Sequence, residues 1–171
     1  MYSCVVVVAL LLFSFQSPQE QYRERFEAAE AQRRAGNIDK AQNEYVSILA
    51  DAYQKLGRAY SAQGNHRAAA AAFESAVKFR PNSPETLVEL SIELFNTGQF
   101  EQALANYNRS IQLDPNLADV YQNRGILYLF LGRDLEAAND FEKCLELDPS
   151  SKPALNRAVT MAKERLANRM R

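Results

Sequence analysis

Residues of matching type recur every 34 positions along this chain. Gly57, Ser91 and Gly125 stand 34 apart, and so do Tyr60, Leu94 and Tyr128; Gly64, Gly98 and Gly132; and Ala69, Ala103 and Ala137. Phe73, Tyr107 and Phe141 continue the series, then Ala76, Ser110 and Cys144, then Pro81, Pro115 and Pro149. A fixed period of this length means an array of small supersecondary units, each burying its apolar face against the next.

Each recurring residue type has a physical role. Small side chains at Gly57, Ser91 and Gly125, and at Ala69, Ala103 and Ala137, let two helices approach closely, and the aromatics Phe73, Tyr107 and Phe141 fill the space beside them. Gly64, Gly98 and Gly132 end the first helix of each unit in a left-handed turn. Pro81, Pro115 and Pro149 stop the second, because proline lacks the donor and clashes with the preceding turn. In "NSPE", Ser83 caps the next helix and Pro84 opens it. Each unit is therefore a helix hairpin, and stacked hairpins make an all-α solenoid.

The pattern resembles the tetratricopeptide repeat. The copy "ADVYQNRGILYLFLGRDLEAANDFEKCLELDPSS" has Tyr121, Gly125, Tyr128, Gly132, Ala137, Phe141 and Pro149 where that family has its signature residues. Arg124 departs from the Leu that is usual there and is present at Leu56 and Leu90; Cys144 stands in place of Ala, as a small buried residue. The resemblance covers residues 50–151 and implies a right-handed solenoid with repeats at 50–83, 84–117 and 118–151. Residues 152–171 supply the solvating C-terminal capping helix such arrays need, with Leu155, Ala158, Val159, Ala162 and Leu166 facing the last repeat.

A further copy at residues 18–49 is truncated: Gly36 lies only 28 residues before Gly64, and the turn between units is missing. Ala41, Tyr45, Ile48, Ala52, Leu56 and Tyr60 form one stripe at helical period. This predicts one fused helix from about Asp39 to Gln63, a rod of roughly 38 Å, with a tight kink near Asp51 as the alternative. Fusion would draw the N-terminal helix, residues 18–35, from its usual stacking place and leave apolar surface for a partner, such as a second copy of the chain.

Composition excludes several function classes. With 20 basic and 21 acidic side chains the formal net charge is −1, so no global field points to nucleic acid or to a membrane. Residues 152–171 are locally basic, which offsets the dipole of a terminal helix or forms a docking patch for an acidic partner. One histidine, His66, read as a solvated surface residue, and two cysteines, Cys4 and Cys144, leave almost nothing from which to build a zinc site or a Ser–His or Cys–His nucleophile. Glu136, Asp140 and Glu146 read as solubilising charge on a helix exterior, and Asn108-Arg109-Ser110 as a chance glycosylation triplet. No cofactor, metal or catalytic activity is expected. The uncharged segment from Cys4 to Phe15 is too short to span a bilayer and matches the core of a signal peptide within residues 1–17, although no Lys or Arg precedes it and no clean cleavage site follows. It predicts export to the periplasm or the exterior; a leader that is not a signal would mean a membrane-anchored or cytoplasmic chain.

In the family, the first helices of successive repeats line a concave groove that holds a peptide or a partner's helix. Carried over by place in the repeat, the groove positions are Gln54, Lys55, Arg58 and Ser61, then Val88, Glu89, Ile92 and Phe95, then Gln122, Asn123, Ile126, Leu129 and Phe130. The apolar run from Ile126 to Leu131 thus divides: Leu127, Tyr128, Leu131 and Leu129 serve packing, whereas Ile126 and Phe130 join Val88, Ile92 and Phe95 in a strip rimmed by Gln54, Arg58, Gln122 and Asn123. Such a patch marks an interaction site. The family's carboxylate clamp is incomplete, since Asn123 and Arg157 fit it but Val88, Ile92 and Pro153 do not. The expected function is a protein- or peptide-binding scaffold, with self-association through the N-terminal helices as the alternative.

Overall fold

The computed structural model describes residues 18–169. Among these described residues eight α-helices follow one another: α1 (Pro18–Arg34), α2 (Ile38–Ala62), α3 (His66–Phe79), α4 (Pro84–Asn96), α5 (Phe100–Leu113), α6 (Ala118–Phe130), α7 (Asp134–Leu147) and α8 (Lys152–Arg169), with a 3₁₀ turn at Pro149–Ser151 before the last. No strand occurs among the described residues. The apolar leader, residues 1–17, lies outside them.

The punctuation expected from the repeat is present. Gly36, Gly64, Gly98 and Gly132 carry the only positive φ values among the described residues, from 69° to 83°. At Gly64 the turn closes with Asn65 N–H donating to the Tyr60 carbonyl at 3.0 Å, the bond that satisfies an orphan carbonyl at a helix end. Ser83 Oγ accepts from Thr86 N–H at 3.3 Å, and Pro84 opens α4. The second helices end at Phe79, Leu113 and Leu147, each two residues before a proline.

The described residues form two compact units that divide between Ala52 and Tyr53. In the first, α1 pairs with the opening half of α2. Ala29 and Ala41 are buried between them, and the Phe26 and Tyr45 rings meet at 5.6 Å. Arg25 reaches three partners on α2: Glu44 and Asp51, each at 2.6 Å, and Ser47 at 2.9 Å. Glu30 accepts from the Tyr45 hydroxyl and pairs with Arg33, which with Tyr45 holds its carboxyl down at about 2. α2 runs unbroken for 25 residues, so the fused helix is observed and the kink near Asp51 is not.

In the second unit, α3 packs on α4, α4 on α5, α6 on α7, and α8 on α6. Its core gathers Phe73, Leu90, Leu94, Tyr107, Val120 and Leu127. The small residues at the helix crossings are required: a Cβ on Gly57 would sit 2.7 Å from the Phe73 ring, and one on Gly125 only 2.4 Å from Phe141. Ser91, the third of the set, is fully buried and donates to the Leu87 carbonyl at 2.7 Å, which disposes of its hydroxyl within the helix.

Candidate peptide-binding cleft

Heptad-like spacing on α4 and α6 brings the apolar strip together. Ile92 and Phe95 from α4 meet Asn123, Ile126 and Phe130 from α6 around a cleft of about 220 Å³. Its far wall is the C-terminal helix, through Ala158, Met161, Ala162 and Arg165. One end is closed by aromatic rings: Phe95 meets Phe130 edge-on at 4.8 Å, and Phe100 leans on both, at 5.6 and 6.5 Å. Edge-to-face pairs are favourable beyond their area, so this end of the cleft is held in shape before anything binds.

Ile92 also lines a second, polar hollow with Arg58, Ser61, Glu89 and Glu93. Here Glu89 accepts from Gln54 Nε2 at 2.7 Å and from Arg58 Nε. Glu93 is only 2% exposed, takes a hydrogen bond from Ser61 Oγ at 2.6 Å, and faces His66 Nδ1 at 2.7 Å. His66 keeps a solvent-exposed face, as expected of a surface residue, and is also the partner of a buried carboxylate, because α3 begins where its ring can reach α4. Burial, and then the charge of Glu93, push the Tyr107 hydroxyl well above the usual tyrosine range.

The predicted site residues fall into three groups. Ile92, Phe95, Asn123, Ile126 and Phe130 converge on the cleft. Arg58 lines the polar hollow and Gln54 does not, though both donate to Glu89, and Arg58 keeps guanidinium donors beyond the one it spends there. Val88 is a correction: at 9% exposure it belongs to the core beside Phe73 and Leu90, so the apolar strip is one residue shorter at that end. Gln122 lies half-buried on α6, one position before Asn123. Leu127 and Tyr128 are buried and Leu131 leans on the core, while Leu129 lines a hollow against Ala137 and Phe141 on α7, so the apolar run divides between packing and cleft as expected.

Asp140 is a second correction. It is 5% exposed and takes a two-point ion pair from Arg124, at 2.7 and 2.8 Å; a third guanidinium nitrogen reaches Asn108. Missed altogether were Phe100, Glu93, Met161 and Arg165. Two of them carried a signal: Phe100 is apolar where His66 and Asp134 stand in the neighbouring copies, and Glu93 occupies the place of the fully buried Leu127. No group of three or more His, Cys, Asp or Glu among the described residues is arranged to hold a metal ion, and no described helix is long and apolar enough to cross a membrane.

Two tetratricopeptide repeat patterns match this chain, at residues 50–83 and 90–167, together more than half its length. The chain belongs to the tetratricopeptide repeat family. Its relatives include the human protein O-mannosyl-transferase TMTC1, 29% identical over 106 residues, which are 60% of this chain and 12% of that protein. The wheat Hsp70-Hsp90 organizing protein is 41% identical over 58 residues, 34% of this chain and 10% of that one. The chain thus spans about a tenth of the length of these relatives. Among solved structures, the first TPR of Spaghetti (RPAP3) bound to the HSP90 peptide SRMEEVD aligns with a TM-score of 0.61 at 24% identity, over 70% of this chain and 94% of that one. This likeness shows a tetratricopeptide repeat solenoid for the family member described here.

Proposed function

We propose that the chain is a non-catalytic scaffold whose second unit binds a protein or peptide segment in the cleft between α4, α6 and α8. The observation that carries this is the cleft itself: Ile92, Ile126 and Phe130 leave their apolar faces open around about 220 Å³ instead of closing on one another. A soluble domain has a reason to leave such a surface uncovered when something else covers it. A few apolar anchors at roughly 1.5–3 kcal/mol each give micromolar binding once ordering costs are subtracted. The peptide bound to Spaghetti supports the peptide reading as a precedent within the fold. The partly filled clamp, with Val88 and Ile92 where donors would be needed, argues for a different ligand here.

The apolar leader supports an exported scaffold, and N-terminal sequencing of the mature protein tests that point. A second reading, self-association, is favoured by one observation: Leu56 is 42% exposed, whereas Leu90, its counterpart one repeat on, is 5% exposed. Light scattering over a concentration series would sink it by returning a monomer throughout. The main reading is tested by affinity capture from the source extract, with the Ile92→Lys/Ile126→Lys variant beside the parent. A protein held by the parent and lost by the variant is expected; identical captures would contradict the reading.

A further inference from the structure

We propose that the C-terminal helix is a specificity wall of the binding cleft, where Arg165 selects a partner segment carrying an Asp or Glu side chain beside a bulky apolar one. The inference rests on the cleft being a peptide site. The hollow is apolar on most sides and, at about 220 Å³, holds several times the roughly 30 Å³ share of a water molecule, which is room for one large apolar side chain. Its polar side chains are Asn96, Tyr107, Asn123 and Arg165, of which only the Arg165 guanidinium is charged; no carboxylate lines it.

Two guanidiniums on the groove helices are paired within the chain, Arg58 with Glu89 and Arg124 with Asp140. Arg165 has no ion-pair partner among the described residues. Its neighbour in sequence, Glu164, lines a different hollow with Arg157 and Thr160. A cation left without a counter-charge at the edge of an apolar cleft favours an incoming anion and repels a cationic one, which sets partner choice more than affinity. Met161, exposed and shared between the two hollows, gives the wall an adaptable surface for apolar anchors of varied shape. The anion is assigned as a side-chain carboxylate because a chain end calls for several converging donors, and Val88 and Ile92 supply none.

The test is a selection of random peptides, each displayed with its C-terminus fused so that no free terminal carboxylate is present. They are selected against the full-length chain, its Arg165→Glu variant and its Ile92→Lys/Ile126→Lys variant. The parent should enrich a bulky apolar residue with Asp or Glu within two positions. Arg165→Glu should keep the apolar preference and exchange the acid for Lys or Arg, and the double lysine variant should lose both. A synthetic, amidated form of the enriched peptide should bind Arg165→Glu about tenfold more weakly than the parent, with the gap narrowing as salt is raised. Arg165→Gln, with the parent's melting temperature, should fall between them. An apolar motif with no acidic preference, or an acidic preference unchanged in Arg165→Glu, would overturn the role of Arg165 and leave the cleft standing. Selection that ignores the lysine variant, or no enrichment on the parent, would overturn both.

Discussion

Arg124 and Asp140 hold α6 to α7 by means that the other repeats do not use. Leu56 and Leu90 occupy the place of Arg124 in the preceding copies, and Ala72 and Asn106 that of Asp140. The guanidinium spans the carboxylate with two bonds while its plane lies between the Tyr121 and Tyr128 rings, 5.7 and 5.6 Å from their centroids. Removing one member of such a pair strands the other without a partner. Arg124→Leu, although it restores the residue usual in the family, should therefore destabilise the protein by about 3 kcal/mol in urea. Arg124→Leu with Asp140→Leu should recover most of that loss, and a single-variant change below about 1 kcal/mol would contradict the assignment. This pair was not legible in the sequence. A lone Asp on a polar helix stretch reads as exterior charge, and nothing in a single chain ties it to an arginine sixteen positions earlier. The departure of Arg124 from Leu was the available hint. Glu93 tells the same story: its burial is decided by Ser61 and His66, which arrive from other helices.

Among the helices, α2 shows what happens when a repeat loses its turn. The missing six residues were visible as a 28-residue interval between Gly36 and Gly64, and the continuous helix follows because no Gly, Pro or Asn interrupts Val46 to Tyr53. In a regular array, the second helix of the preceding unit is a separate neighbour for the residue at Leu56; here that segment continues into the same helix. The energetic consequence is measurable. Leu90→Ala, which empties a core site, should cost about 2–5 kcal/mol. Leu56→Ala, at the same place in the repeat but 42% exposed, should cost under about 1 kcal/mol. Equal costs in urea melts would mean that something covers Leu56. The helix ends were legible for a simple reason: left-handed turns at Gly64, Gly98 and Gly132 and stops at Pro81, Pro115 and Pro149 are dictated by backbone sterics within a few residues.

At the scale of the whole molecule, the proposed binding rests on a cleft that only part of the chain announced. Ile92, Phe95, Ile126 and Phe130 could be placed because they repeat, and a residue's place in one copy predicts its direction in the next. Val88 was misplaced because the same rule ignores how closely α4 is packed at its N-terminal end. The far wall, Met161 and Arg165, could not be placed by repetition, since α8 has no copy with which to compare it. Site-specific photocrosslinking tests the central claim most directly. A photoreactive phenylalanine analogue is put at Ile126, inside the cleft, and separately at Leu135, an apolar residue 81% exposed on α7 outside it, and the full-length chain is irradiated in its source extract. The cleft reading predicts a discrete adduct from position 126, lost when Ile92→Lys is added, and none from position 135. An adduct from position 135 with none from position 126 would contradict it.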